Sequence, residues 1–213
     1  MNKKFNSFSV PLGLLDYVNP ILYTVTMITI IRNMYSIMDK PFYTILLIGA
    51  IISILVGFII PTGKVLVGLG VIKFVMPVAL VLCVNSGIFL TGSMLLGNVF
   101  NIRPVVLAII MALVILLLVM QYRKNKKLNT IAVLIGAVGY LMLYISLITL
   151  SIRKEIILPI VLYGLAIMLF VMLIGIGIKA DLKNPKIHWV IEISNVTCQL
   201  FVTIATLVLF GII

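Results

Sequence analysis

Apolar runs of about 20 residues recur along this chain, each long enough to cross a hydrocarbon core as a helix. Little sequence lies between them, so no separate soluble domain fits. Of 213 residues, 63% are hydrophobic and only 10% charged, whereas a soluble domain is about half apolar and a quarter charged. The fold class is therefore an all-α polytopic membrane protein, one transmembrane domain over residues 1–213. Seven helices are expected, at 17–38, 41–60, 74–97, 104–122, 130–150, 156–178 and 187–211. The segment Pro61 to Lys73, rich in glycine and too short to span, is expected to be an interfacial or re-entrant piece. The mixed N-terminal residues, Met1 to Val10, show no signal-peptide core or cleavage site.

The net charge of +11 does not point to nucleic acid, because the basic residues lie between apolar spans and no basic soluble face exists to carry them. They report topology instead. With the N-terminus inside, eleven fall on inner segments (Lys3, Lys4, Lys64, Lys73, Arg123, Lys124, Lys126, Lys127, Lys179, Lys183 and Lys186). Five fall outside (Arg32, Lys40, Arg103, Arg153 and Lys154). The positive-inside rule then puts the N-terminus in the cytoplasm and the C-terminus outside. Lys outnumbers Arg 12 to 4, a composition that fits an AT-rich bacterial source and a plasma-membrane location.

Three landmarks recur in the same order along the two halves. Pro20 in VNPILYTV answers Pro104 in IRPVVLAI, LIGA at 47–50 answers LIGA at 134–137, and Pro77 in VMPVAL answers Pro159 in ILPIVL. These suggest two three-helix repeats, 12–97 and 104–178, plus a seventh helix at 187–211. An odd number of helices per repeat inverts one copy relative to the other, a plan common in transporters.

The last span carries the most informative pattern. His188, Glu192, Asn195, Gln199, Thr203 and Thr206 follow one another at three- and four-residue steps, which places them on one helical face. Lipid cannot satisfy such a face, so it must meet protein or water. Glu192 needs a cationic partner, a proton or water at that depth, and His188, one turn away, or Lys73 is the expected partner. A second stripe on the first span holds Asp16, Asn19, Tyr23, Thr26 and, after a break at Ile30, Asn33. The third span has Asn85, Ser86, Gly87, Thr91, Gly92 and Ser93 at its middle, either an unwound segment lining a site or a close-packing surface.

These residues favour a transporter or channel that moves a small solute or ion along a polar path lined by the first, third and seventh spans. Asp16, Asn19, Asn85, His188, Glu192, Asn195 and Gln199 are its candidate residues. The alternatives are a non-catalytic subunit of a membrane complex and, with less support, a membrane-embedded lipid-modifying enzyme. No HExxH or GxSxG motif occurs. Ten residues of helix put Cys198 about 15 Å from His188, too far for proton transfer. Cys83 and Cys198 read as small apolar residues, and no metal or cofactor set is expected. The expected partners are the bilayer, a small solute or ion, and a second copy or a membrane partner subunit.

Overall fold

The computed structural model describes residues 9–72, 78–125, 128–179 and 185–213. All regular structure among them is helical: α1 (Val10–Asp16), α2 (Val18–Met34), α3 (Lys40–Gly68), α4 (Val78–Val99), α5 (Pro104–Asn125), α6 (Leu128–Arg153), α7 (Ile157–Lys179) and α8 (Pro185–Leu209). Six stretches are long and apolar enough to cross a membrane, the first made of α1 and α2 together, and Pro104–Leu117 of α5 is a shorter apolar helix. The chain is thus a polytopic membrane protein of about seven helices.

Two departures from the expected spans position buried charges. The first span breaks at Tyr17, which closes α1 through a bond from its N–H to the Leu14 carbonyl. Pro20 explains the break. It has no N–H to offer the Asp16 carbonyl one turn earlier, so the α-helical ladder cannot run unbroken past Asp16. Asp16 consequently sits at the end of a short helix.

The second departure corrects the reading of Pro61 to Lys73. Residues 61–68 are no separate piece; they continue α3, which runs through Pro61 for two more turns. An interior proline costs one ladder bond, here to the Gly57 carbonyl, and membrane helices tolerate this where neighbouring groups compensate. The helix stops at Gly70, whose φ of +72° allows the left-handed closing turn. Val71 N–H reaches the Leu66 carbonyl and Gly70 N–H the Val67 carbonyl, the Schellman arrangement that glycine favours.

The chain forms two compact units. One comprises Met1–Thr29, Gly57–Met76 and Ile156–Ile213; the other comprises Ile30–Val56 and Pro77–Glu155. α2 and α3 each contribute one end to either unit.

In the second unit α4 and α6 pack through small residues. A Cβ added at Gly92 would collide with the Gly139 carbonyl, and one at Gly139 would lie 2.6 Å from Phe89 Cα. Gly49 of α3 meets Gly87 of α4 in the same way, 2.7 Å separating a Cβ there from the Gly87 carbonyl oxygen. α4 is helical throughout Val78–Val99, so its polar middle is not unwound. The hydroxyls of Thr91 and Ser93 return to the carbonyls of Gly87 and Phe89. This is the close approach that small residues permit in membranes. The outward faces of α5 and α7, including Ile109, Leu113, Leu117, Val161, Met168 and Met172, are apolar and exposed, as lipid contact requires.

Candidate functional site

The first unit gathers three charged side chains from three helices. Lys64 Nζ of α3 lies 2.7 Å from Asp16 Oδ2 of α1 and 2.8 Å from Glu192 Oε1 of α8. Asp16 and Glu192 are buried, and only 10–12% of each of the three side chains is exposed.

Local sequence builds this junction. Ser9 caps α1, its hydroxyl accepting from the Leu12 N–H at 3.4 Å, and the break at Tyr17 ends the helix just past Asp16. Glycines bring α1 against the last turns of α3. A Cβ at Gly13 would come within 2.8 Å of Val65 Cγ2, and one at Gly68 within 3.0 Å of the Val10 backbone nitrogen. Gly57 packs on Pro20 in similar fashion, with 3.3 Å between a Cβ there and Pro20 Cβ. Tyr17 adds a 2.6 Å hydrogen bond between its hydroxyl and that of Thr62. Because α3 continues beyond Pro61, Lys64 is carried on the helix face that meets Asp16. Glu192 lies seven residues into α8, about 10 Å along it from Pro185.

The polar groups around the three charges are unequally satisfied. Asn19 Nδ2 donates to Asp16 Oδ1 at 3.4 Å, whereas Asp16 Oδ2 has the Lys64 ammonium 2.7 Å away as an ion pair but no hydrogen-bond partner among the described residues. Lys64 donates to Oε1 of Glu192, while Glu192 Oε2 is buried with no hydrogen-bond partner among the described residues, as is Asn19 Oδ1. Two carboxyl groups share one ammonium. If both were ionised the cluster would carry one uncompensated negative charge in a buried place, which is costly.

Deeper along α8 the stripe meets other helices directly. Thr203 and Thr26 of α2 share a hydroxyl–hydroxyl bond of 3.0 Å, and Thr206 bonds the Tyr163 hydroxyl of α7 at 2.9 Å. Thr26, Tyr163 and Thr206 are fully buried. Cys198 donates from its thiol to the Ala166 carbonyl at 3.4 Å, consistent with a packed interior residue. The stripes of the first and last spans therefore touch at the level of Thr26.

The sequence-level candidates are not all brought together. Asp16, Asn19 and Glu192 converge. Gln199 is buried and Asn195 half-buried further along the same helix. His188 is half-buried one turn before Glu192, but the ammonium against Glu192 is that of Lys64. Lys73, the other expected partner, and Asp181 lie outside the described residues. Asn85 belongs to the other unit, where its side chain packs on Gly136 so closely that a Cβ there would collide with it. Lys64 is absent from the sequence-level candidates because the pattern places it between spans. The signal that could have found it is its isolation, as it is the one charge between Lys40 and Lys73; a lone ionisable residue in an apolar run is a functional candidate by default.

No protein family, curated protein or solved structure matches the chain. Among the described residues no group of three or more His, Cys, Asp and Glu side chains is placed to hold a metal ion.

Proposed function

We propose that this membrane protein is a proton-coupled transporter of a small solute or ion, with Asp16, Lys64 and Glu192 as its coupling centre. The observation that carries the reading is the odd charge of a buried cluster drawn from three helices. A pair that merely anchored the bundle would balance, one carboxylate to one ammonium. Here a second carboxylate is present, and one added proton makes the cluster neutral. A proton suits the site better than an alkali cation, because Lys64 sits against both carboxylates and would repel a bound cation. Glu192 Oε2, buried and unpartnered, is the open position for it.

The coupling step is simple in chemical terms. A proton arriving on one carboxyl group releases that group's hold on Lys64, and the ammonium then pairs with the other carboxylate alone. Loss of the proton restores the shared arrangement. Because the three groups stand on α1, α3 and α8, each exchange alters the attraction between those helices. This is the local charge change that a two-state transporter requires. The N-terminus is assigned to the cytoplasm. Moving Lys64 from a loop into α3 leaves ten basic residues on inner segments against five on outer ones, and the positive-inside balance keeps its sign.

The test is charge movement in proteoliposomes adsorbed on a solid-supported membrane, after separate jumps in pH, Na+ and K+. The proposal expects a transient current on the pH jump, and its loss in Glu192→Gln and in Asp16→Asn. A current on the Na+ or K+ jump alone would replace the proton with that cation. No current on any jump, or equal currents in wild type and both variants, would overturn the proposal.

A further inference from the structure

The second unit contains a cavity unrelated to the charged cluster. It lies between α3, α4 and α5 and has a volume of about 190 Å³. Pro41 and Phe42 line it from α3, Leu90 and Met94 from α4, and Leu107 and Ala108 from α5. Its wall is almost wholly apolar, and it is half-open rather than enclosed. For scale, an apolar cavity of ~150 Å³ stays dry and takes up a benzene ring. The lining on α5 extends from Pro104 to Met111, two turns or about 10 Å of helix. An apolar slot of this size, running along two turns of α5, suits part of an acyl chain.

What stands at one end of the slot decides the occupant. Lys40 immediately precedes the lining residue Pro41, and Arg103 immediately precedes the lining residue Pro104, so a cation adjoins the lining at the start of both α3 and α5. Both are exposed. Neither makes an ion pair among the described residues, with the exposed Asp39 or with any other carboxylate. Both also head their helices, where the backbone N–H groups add a partial positive charge. Two exposed cations adjoining an apolar slot match an anionic phospholipid, its phosphate on the cations and one acyl chain in the slot.

We infer that this unit holds a binding site for one anionic phospholipid. Its phosphate is held by Lys40 and Arg103, and one acyl chain lies in the slot beside Phe42, Leu107 and Ala108. A zwitterionic lipid has the same chains, but its headgroup carries its own cation and gains less from the two side chains. The inference is independent of the proton-coupling proposal, because every residue in it lies outside the unit that holds the cluster.

The experiment is native mass spectrometry of the full chain, delipidated in detergent and titrated with phosphatidylglycerol or phosphatidylcholine of identical chains. The expected result is one phosphatidylglycerol per chain, bound at least tenfold more tightly than phosphatidylcholine. The double variant Lys40→Gln/Arg103→Gln should bind it roughly 30-fold more weakly, the equivalent of two cations near a membrane surface. Ala108→Phe, which fills the slot and leaves the charges in place, should weaken both lipids. Thermal unfolding of each variant checks that the fold is retained. Equal binding of the two lipids, or unchanged affinity in the charge variant, would overturn the inference. Displacement by inorganic phosphate at concentrations matching the lipid would reduce the site to a headgroup contact and overturn it too. A lipid-independent dimer abolished by Ala108→Phe would assign the slot to a second copy of the chain instead.

Discussion

Replacing Lys64 with methionine removes the charge at the centre of the cluster and keeps most of the side-chain volume. The ammonium lies 2.7 and 2.8 Å from two carboxylates, in side chains that are only 10–12% exposed, so solvent screening is slight. Removing one partner of a buried ion pair strands the other and costs about 3–5 kcal/mol. With one of the two carboxyl groups holding a proton, a single carboxylate is stranded, so the middle of that range applies. For a chain of this size the loss corresponds to a fall in Tm on the order of 10 °C. It should shrink as pH falls, since an added proton neutralises the stranded carboxylate. Thermal unfolding in detergent, followed by helical circular dichroism and by Trp189 fluorescence three residues from Glu192, reads the effect. The triple variant Asp16→Asn/Lys64→Met/Glu192→Gln removes all three charges and should regain most of the lost stability. A change within about 0.5 kcal/mol in Lys64→Met, the level of an ordinary surface substitution, would show that the three charges are not coupled in a buried place. So would a triple variant whose loss equals the sum of the single losses, since additivity marks independent sites.

Gly92→Ala should destabilise the protein by about 1–3 kcal/mol through overpacking, because its Cβ meets the Gly139 carbonyl. Gly175→Ala, with nothing within 4 Å of the new Cβ, should leave Tm unchanged or slightly raised; equal losses at the two sites would deny the close packing of α4 on α6. A double-mutant cycle with Thr26→Val and Thr203→Val should return a coupling of about 0.6 kcal/mol, typical of hydrogen bonds between membrane helices. A coupling of zero would mean the 3.0 Å contact carries no energy. Reporters on the two termini should be found on opposite sides of the membrane, and finding them on the same side would contradict seven spans.

The fold class is legible in the sequence because apolar run length is a direct consequence of bilayer thickness, and seven runs of that length leave little else to build. The stripe on α8 is legible for a similar reason, since helical period alone puts Glu192, Gln199, Thr203 and Thr206 on one face. What the sequence hides is the meaning of proline. Pro61 has the look of a boundary, yet the helix runs through it to Gly68. Treating it as a boundary puts Lys64 in a loop and hides it from the charges carried on the helices. Pro20, in contrast, does break a span, because it falls at a point where Tyr17 can close α1. The two prolines differ in tertiary surroundings, which local propensity does not contain. The partner of Glu192 is hidden for a further reason. A contact from residue 64 to residue 192 depends on which helices are neighbours, and helical period is silent about that. The small residues at the middle of α4 leave two readings open, and the continuous helix with its close contacts to α6 and α3 favours packing.

Whether the cluster of Asp16, Lys64 and Glu192 binds a proton can be read by infrared difference spectroscopy of the protein in lipid at neutral pH, with H2O–D2O exchange to mark carboxyl protons. One protonated carboxyl group per chain is expected in the wild type. It should vanish in Glu192→Gln and equally in Asp16→Asn, because either substitution leaves one carboxylate to balance Lys64 and removes the need for a proton. No protonated carboxyl in the wild type, or a band that persists in both variants, would contradict the claim that this cluster binds a proton.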